Sequence, residues 1–218
     1  MASSTWDLTG GLASANYQLV SAEPFFVRED DPPAKREILK AALSAFVRDG
    51  IASTSIRNIA AESGYTNPAL FKHFAGKDEL ALYLFERCFE QLSRHVERAL
   101  RGERPFRHKL HALLDELASF LDQDLEAFLF VQEELRRLWP KVSPAVRRRS
   151  IVRMLRVLLE QGRLERAVAR EQSLELQLNA FIGMVAQLGR ALYFGELPSS
   201  ARDVLPEFEA LCLKMLAS

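Results

Sequence analysis

Residues 54–80, TSIRNIAAESGYTNPALFKHFAGKDEL, decide the fold of this chain. Apolar residues recur at helical spacing on both sides of one glycine: Ile56, Ile59 and Ala60 precede it, and Leu70, Phe71 and Phe74 follow it. Thr54-Ser55 and Thr66 stand where helix caps are expected, and Gly64 permits the left-handed backbone that ends many helices. Two short helices joined by a turn that contains glycine predict a helix-turn-helix unit.

A longer helix is predicted directly before this unit. Asp31 is a candidate cap, Pro32 suits the first helical position, and Gly50 ends the apolar repeat. The apolar positions of the repeat follow one face of a helix: Ile38, Leu39, Ala42, Leu43, Phe46 and Val47. Residues 31–80 are therefore predicted to form a three-helix domain.

The remainder of the chain also has helical periodicity, and no strand alternation persists. We predict helices at about 80–96, 110–121, 125–139, 143–161 and 171–194, and a ninth that ends near residue 217. The predicted fold class is all-α, with the helix-turn-helix domain at 31–80 and a larger C-terminal helical bundle at 81–218. Residues 1–30 have no sustained period and are predicted to be a flexible arm.

Composition narrows the function classes. The 218 residues contain 29 basic and 29 acidic side chains, so DNA binding would need a local basic surface. Cys88 and Cys212 are far apart and are expected to be buried thiols in a reducing cytoplasm. His108 and His111 have no third ligand nearby, so no metal site is expected, and no catalytic constellation or cofactor motif suggests an enzyme. Neither a secretory signal nor a membrane span is predicted.

The second short helix carries side chains suited to reading DNA. Its predicted outward residues are Thr66, Asn67, Ala69, Lys72 and His73. The amide of Asn67 can pair with adenine, and the methyl group of Ala69 can meet the methyl group of thymine. Lys77 begins the next helix, whose N-terminus can attract phosphate. A helix-turn-helix places such residues in the major groove.

These residues resemble the tetracycline-repressor-like (TetR) family of regulators. The resemblance runs through Ile38-Leu39, Ala42, Phe46, Gly50, Thr54-Ser55-Ile56, Ile59-Ala60, Ser63-Gly64-Tyr65-Thr66, Leu70-Phe71, His73-Phe74, Lys77-Asp78 and Leu80. It covers about 45 residues with matching spacing. It implies phosphate contacts from Thr54, Ser55, His73 and Lys77, and base-proximal positions for Thr66, Asn67 and Ala69. The family commonly has tyrosine where this chain has Phe71, which lacks the hydroxyl that could bond to phosphate.

The resemblance also implies a homodimeric repressor that binds double-stranded DNA at a palindromic operator. We expect the eighth and ninth helices to pair with their copies, because residues 174–194 are apolar almost all round. Small residues recur every third position there: Ala180, Gly183, Ala186 and Gly189. Burial within one subunit is the alternative interpretation of this pattern.

A small, largely apolar effector is expected in the C-terminal domain. The candidate pocket residues are His111, Phe128, Gln132, Trp139, Phe181, Met184 and Gln187, which combine rings with a few polar groups. The alternative is that these rings simply pack the core. Two other functions also stay open: an architectural DNA-binding protein without an effector, and a helical ligand-binding protein with a vestigial helix-turn-helix.

Overall fold

A computed structural model describes residues 24–197 and 200–217 of the chain. Over those ranges the secondary structure is helical without strands, which confirms the predicted fold class. The helices are α1 Pro33–Ser53, α2 Ile56–Ser63, α3 Asn67–Phe71, α4 Lys77–Ala99, α5 Phe106–Leu138, α6 Pro144–Arg147, α7 Ile151–Leu164, α8 Leu174–Tyr193 and α9 Ala201–Ala217, with a 3₁₀ turn at Trp139–Lys141.

The head consists of α1, α2 and α3 around a small apolar core. Ile38, Leu39, Phe46, Ile59 and Leu70 are at most 2% exposed and hold the three helices together. Gly50 interrupts α1 with a φ of 77°, as its position at the end of the apolar repeat predicts. The helix itself resumes to Ser53, because Ile51 turns back into the core.

The predicted role of Asp31 as the cap of α1 is wrong. Pro32 occupies the capping position, and no side chain caps this helix. The Asp31 carboxylate is buried and turns away to the Arg87 guanidinium on α4, 3.0 Å from both carboxylate oxygens. An ion pair between distant segments has replaced the local bond that the sequence suggested.

The body is built around α4 and α5, which pack along each other. The predicted helices at 110–121 and 125–139 form one helix, α5, broken only at Asp124, where φ is −138° and ψ is 52°. The predicted helix at 143–161 is instead divided into α6 and α7, because the Ser150 side chain accepts the Arg153 amide and starts a new helix. No helix in the described ranges is long and apolar enough to cross a membrane.

The predicted flexible arm needs a partial correction. Residues 1–23 lie outside the described residues, but residues 24–30 pack against the body. Phe26 is only 3% exposed, and Phe25 contacts rings of α4 and α5. The arm therefore contains an apolar anchor in its last few residues.

Candidate nucleic-acid interface

Capping residues set the length of α2. The Ser55 hydroxyl accepts the Asn58 amide at 3.1 Å and begins the helix. At the other end Gly64 is left-handed, with φ 73° and ψ 14°, and the Tyr65 amide donates to the Ala60 carbonyl at 3.0 Å. This closing pattern satisfies carbonyls that the helix leaves free and turns the chain toward α3.

α3 is a single short helix held at its N-terminus. The Thr66 hydroxyl accepts the Ala69 amide at 3.4 Å, and Pro68 lies in the first turn, where no intrahelical donor is lost. Leu70 is fully buried and fixes the inner face. The helix ends at Phe71, so Lys72 and His73 lie in the turn beyond it.

The predicted contact residues fall into three groups by exposure. Ser55, Thr66, Asn67 and Lys72 are exposed, Ala69, His73 and Lys77 are half-buried, and Thr54 is buried. Ser55 precedes α2, residues 66–73 lie on α3 or in the turns that border it, and Lys77 begins α4. Three of the four exposed predicted residues, Thr66, Asn67 and Lys72, therefore lie on α3 or directly next to it.

Thr54 does not present its hydroxyl for a phosphate contact. The side chain is 2% exposed, and its Oγ1 lies 2.8 Å from the Gly50 carbonyl and 3.2 Å from that of Ala45. It closes the end of α1 and so shapes the start of α2 from inside. We therefore leave Thr54 out of the proposed contact set.

Lys77 is turned inward. Its Nζ donates to the carbonyls of Thr54 at 2.6 Å and Ala52 at 3.1 Å, which joins the start of α4 to the end of α1. The Glu79 carboxylate accepts the Ala75 amide at 2.6 Å and closes the same turn. Lys77 thus positions the helix-turn-helix against α4 before any contact with phosphate is considered.

Sequence reasoning missed Arg57. This residue is exposed on the first turn of α2, and its guanidinium has no hydrogen-bond or ion-pair partner among residues 24–197 and 200–217. By contrast, Arg48 is held by Asp49 at 2.8 Å and Glu62 at 2.7 Å. The available signal was a basic residue two positions after the Ser55 cap, at a helix N-terminus where anions are favoured.

The seven predicted pocket residues differ widely in exposure. Phe128 and Phe181 are buried in the core, whereas His111 and Gln187 are exposed. The remaining members, Gln132, Trp139 and Met184, are half-buried.

His111 and Trp139 have other partners. His111 Nδ1 lies 2.8 Å from the Glu209 carboxylate, and this hydrogen bond raises the pKa of His111. The Trp139 ring packs on Phe89 at 4.9 Å. A cavity of about 230 Å³ does open on the body, but other residues line it, among them Leu100, Lys109, Met154 and Val157.

Comparison with known proteins identifies the head. Residues 38–84 match the family described as bacterial regulatory proteins, tetR family. The chain is 29% identical over 111 residues to the HTH-type transcriptional activator FasR of Mycolicibacterium smegmatis, covering 51% of each chain. It is 29% identical over 110 residues to the nicotine-responsive transcriptional repressor HdnoR of Paenarthrobacter nicotinovorans, covering 50% of this chain and 56% of that one. The match thus spans about half the length of these relatives.

The fold over most of the chain agrees with this match. The ketosteroid transcriptional regulator KstR2 of Mycobacterium tuberculosis superposes with a TM-score of 0.75 at 19% identity, covering 88% of this chain and 97% of that one. The family match includes the capped α2, the Gly64 turn and α3, and the superposition extends over the body. Residues 38–84 are therefore similar to the tetR family of bacterial regulatory proteins, and the fold of the chain is similar to that of KstR2.

Proposed function

We propose that this chain is a DNA-binding transcriptional regulator that acts as a homodimer on a palindromic operator. The observation that carries the proposal is the capped α2–α3 unit, which exposes Asn67 at the start of α3, Lys72 just beyond its end and Arg57 on α2. The matched family and the two relatives named above are regulators of transcription and not enzymes. Regulation, and not catalysis, is accordingly the activity to test.

Within this proposal, α3 enters the major groove. The exposed amide of Asn67 lies at the start of α3, where side chains reach base edges, and it can pair with adenine. Lys72 and Arg57 follow on either side and carry free positive charge toward the phosphates. Ser55 and Thr66 cap the N-termini of α2 and α3, where free backbone amides attract anions such as phosphate.

Dimerisation is proposed through α8 and α9. One face of α8 and its C-terminal cap is exposed and largely uncharged, with Arg190 as its charged member. Its other residues are Leu176, Asn179, Ala180, Gly183, Gln187 and Phe194. On α9, Leu211 is 51% exposed beside exposed Ala210. Exposed apolar faces of this kind mark interaction sites, and a two-fold axis would place both heads on successive major grooves, about 34–36 Å apart.

Repression with release by a small effector completes the proposal. One relative is named nicotine-responsive, and α4 runs from the head into the middle of the body. An effector that prefers a body with different head spacing lowers operator affinity by its differential affinity for the two states. Because the two matched relatives are an activator and a repressor, the sign of regulation is itself an outcome to measure.

Selection of bound sequences from a random DNA pool tests the proposal. We expect enrichment of one palindromic motif, and gel shifts in which that motif outcompetes random DNA by at least about a thousandfold. Equal affinity for all sequences would support an architectural protein. Failure to bind any DNA would support a ligand-binding protein with a vestigial head and would overturn the proposal.

A further inference from the structure

Residues 24–31, which we call the strap, join the head to the body a second time. At one end the Asp31 carboxylate binds Arg87 on α4 and Lys35 on α1. Arg28 reaches Glu90 on α4, and Phe26 is buried in the core. The strap thus runs from the start of α1 along α4, and it ends between α4 and α5.

The ring of Phe25 occupies a defined seat between these two helices. It stacks on Phe120 of α5 with centroids 5.7 Å apart, and it tilts against His95 of α4 at 4.8 Å. Its amide donates to Asp124 Oδ2 at 2.6 Å, and its carbonyl accepts the Gln91 amide at 2.7 Å. The seat therefore recognises one ring, one hydrogen-bond donor and one acceptor.

Asp124 is the unusual member of the seat. It lies at the break in α5, is 8% exposed, and has a neutral amide as its described hydrogen-bond partner. Burial raises its pKa to about 7, although the Phe25 amide opposes this, and the nearby Glu126 raises it further. A buried carboxylate without a cation is costly, so this position favours a positively charged partner.

The basic side chains nearest the Phe25 seat already have acidic partners. Arg87 on α4 binds Asp31, and His95 on α4 binds Glu116 on α5 at 2.8 Å. Burial lowers the pKa of His95 against the effect of Glu116, and burial raises that of the Cys88 thiol, with Asp124 adding to it. Acidic groups outnumber free cations on both helices that face the Phe25 backbone.

We propose that the seat of Phe25 is the effector site of this regulator, filled by the strap in the described state, and that it takes a small compound carrying an aromatic ring and a protonated amine. The inference rests on the proposed function, since it names the ligand class of that regulation. The ring replaces Phe25 between Phe120 and His95. The ammonium replaces the Phe25 amide at Asp124, and a carboxylate ligand is excluded by repulsion.

Displacement of the strap couples this site to the head. The strap continues directly into α1, and its bonds to α4 at Arg87, Glu90 and Gln91 span one side of the helix that links head and body. A ligand in the seat removes the Phe25 anchor and its bond to Gln91, and so weakens the attachment that Phe26, Arg28 and Asp31 continue to provide. The seat holds either Phe25 or the ligand, and these two states of the chain are the ones between which an effector selects.

The test uses the full chain and phenethylamine as the probe, with phenethyl alcohol and 3-phenylpropionate as matched analogues. Titration calorimetry should show binding of the amine in preference to both analogues. Phe25→Ala should raise the affinity for the amine at least several-fold, because it removes the ring that competes for the same seat. Asp124→Asn should weaken binding of the amine at least tenfold and leave binding of the alcohol unchanged. Leu164→Ala, which changes an exposed apolar residue at the end of α7, should change neither.

Two further readouts follow the strap and the carboxylate. Arg28 is exposed, so the amine should accelerate tryptic cleavage after Arg28 in the wild-type chain. Amine affinity should rise about tenfold from pH 6 to pH 8, because a group with a pKa of about 7 goes from about one-tenth to about nine-tenths ionised. The Asp124→Asn variant should lose this rise.

The inference is overturned if the amine fails to bind Phe25→Ala, or binds the wild-type, Phe25→Ala and Asp124→Asn chains equally. It is also overturned if bound amine leaves cleavage at Arg28 unchanged. Specific DNA binding by the same preparations separates the two proposals: a chain that binds a palindrome but not the amine keeps the regulator and loses this site, and a chain that binds no specific DNA loses both.

Discussion

The Lys77 ammonium donates to the carbonyls of Ala52 and Thr54, whereas the Arg57 guanidinium has no partner in the described part of the chain. Both residues carry one positive charge near α3. A charge that is already bonded to carbonyls releases few counterions when DNA arrives, and a free charge releases about one. The two residues should therefore affect DNA binding by different routes.

Arg57→Ala should reduce the salt dependence of operator binding. Loss of one phosphate contact lowers the slope of log K against log salt by about 0.9, with no change in thermal stability. Lys77→Ala should leave the slope almost unchanged and destabilise the chain by about 1 kcal/mol, as expected for half-exposed bonds to a charged group. Binding isotherms at several salt concentrations, with melting curves, measure both; the reverse pattern would refute the assignment.

Asn67→Ala should relax sequence preference without a general loss of affinity. The exposed amide at the start of α3 is suited to adenine, and a bidentate pair contributes about 1–3 kcal/mol of discrimination. When the base pairs of the operator are changed one at a time, the wild type should lose affinity at one or two positions where the variant does not. Lys72→Ala is the matched control, for which all operators should weaken together.

Local patterns predicted the caps of α2 and α3 but not that of α1, and distant partners determined where the other side chains point. Ser55 and Thr66 cap α2 and α3 as expected, because capping depends on residues two or three positions away. Thr54 and Lys77 bond to carbonyls at the end of α1 instead of facing outward. His111 meets Glu209, which lies 98 residues later, and no spacing rule connects them.

At the scale of elements, the break in α5 brings a carboxylate into the core. Residues 121–125 contain neither proline nor glycine, so the sequence gives no signal for the non-helical backbone at Asp124. The strap was missed for a related reason: the apolar run Phe25-Phe26-Val27 is visible, but it is too short to reveal where it packs. The two features explain each other, since Asp124 accepts the Phe25 amide.

Asp124→Asn should stabilise the chain, and more so at high pH. A folded-state pKa of about 7 lies above the unfolded value of 3.8, so the folded state binds more protons between those values and loses stability as pH rises through that window. The shift corresponds to about 4 kcal/mol above pH 7, and to less than half of that near pH 5. Asparagine keeps an acceptor for the Phe25 amide and removes the charge.

Urea unfolding at pH 5 and pH 8 measures this difference. The gain in the free energy of unfolding of Asp124→Asn over the wild type should be larger at pH 8. Glu126→Gln is the control, because it removes the neighbouring carboxylate without removing the buried charge itself. A gain that is equal at both pH values, or a loss at pH 8, would show that Asp124 is ionised without penalty in the folded chain.

At the scale of the whole molecule, the glycines of α8 divide between two surfaces. A Cβ on Gly189 would lie 2.6 Å from the Phe128 ring, so this glycine serves packing within the subunit. A Cβ on Gly183 would meet nothing within 4 Å, and the residue is exposed on the same face as Leu176 and Ala180. The small residues of α8 form one stripe in the sequence, but they have two roles in the structure: Gly189 packs against α5 and Gly183 lies on an exposed face. Only the position of α5 distinguishes the two roles.

Gly183→Leu should consequently yield folded monomers that lose operator affinity. The protomer has room for the side chain, and replacing glycine within a helix raises helix stability by about 0.5–1 kcal/mol, so the melting temperature of the monomer should not fall. In the proposed dimer the same leucine separates two α8 helices that approach closely, and the paired heads lose their common register on DNA. Gly189→Leu should instead destabilise the chain by about 1–3 kcal/mol through its clash with Phe128. Sedimentation velocity, melting curves and operator binding on the two variants distinguish an interface from a core position, and a Gly183→Leu chain that stays dimeric with full operator affinity would move the two-fold axis away from α8.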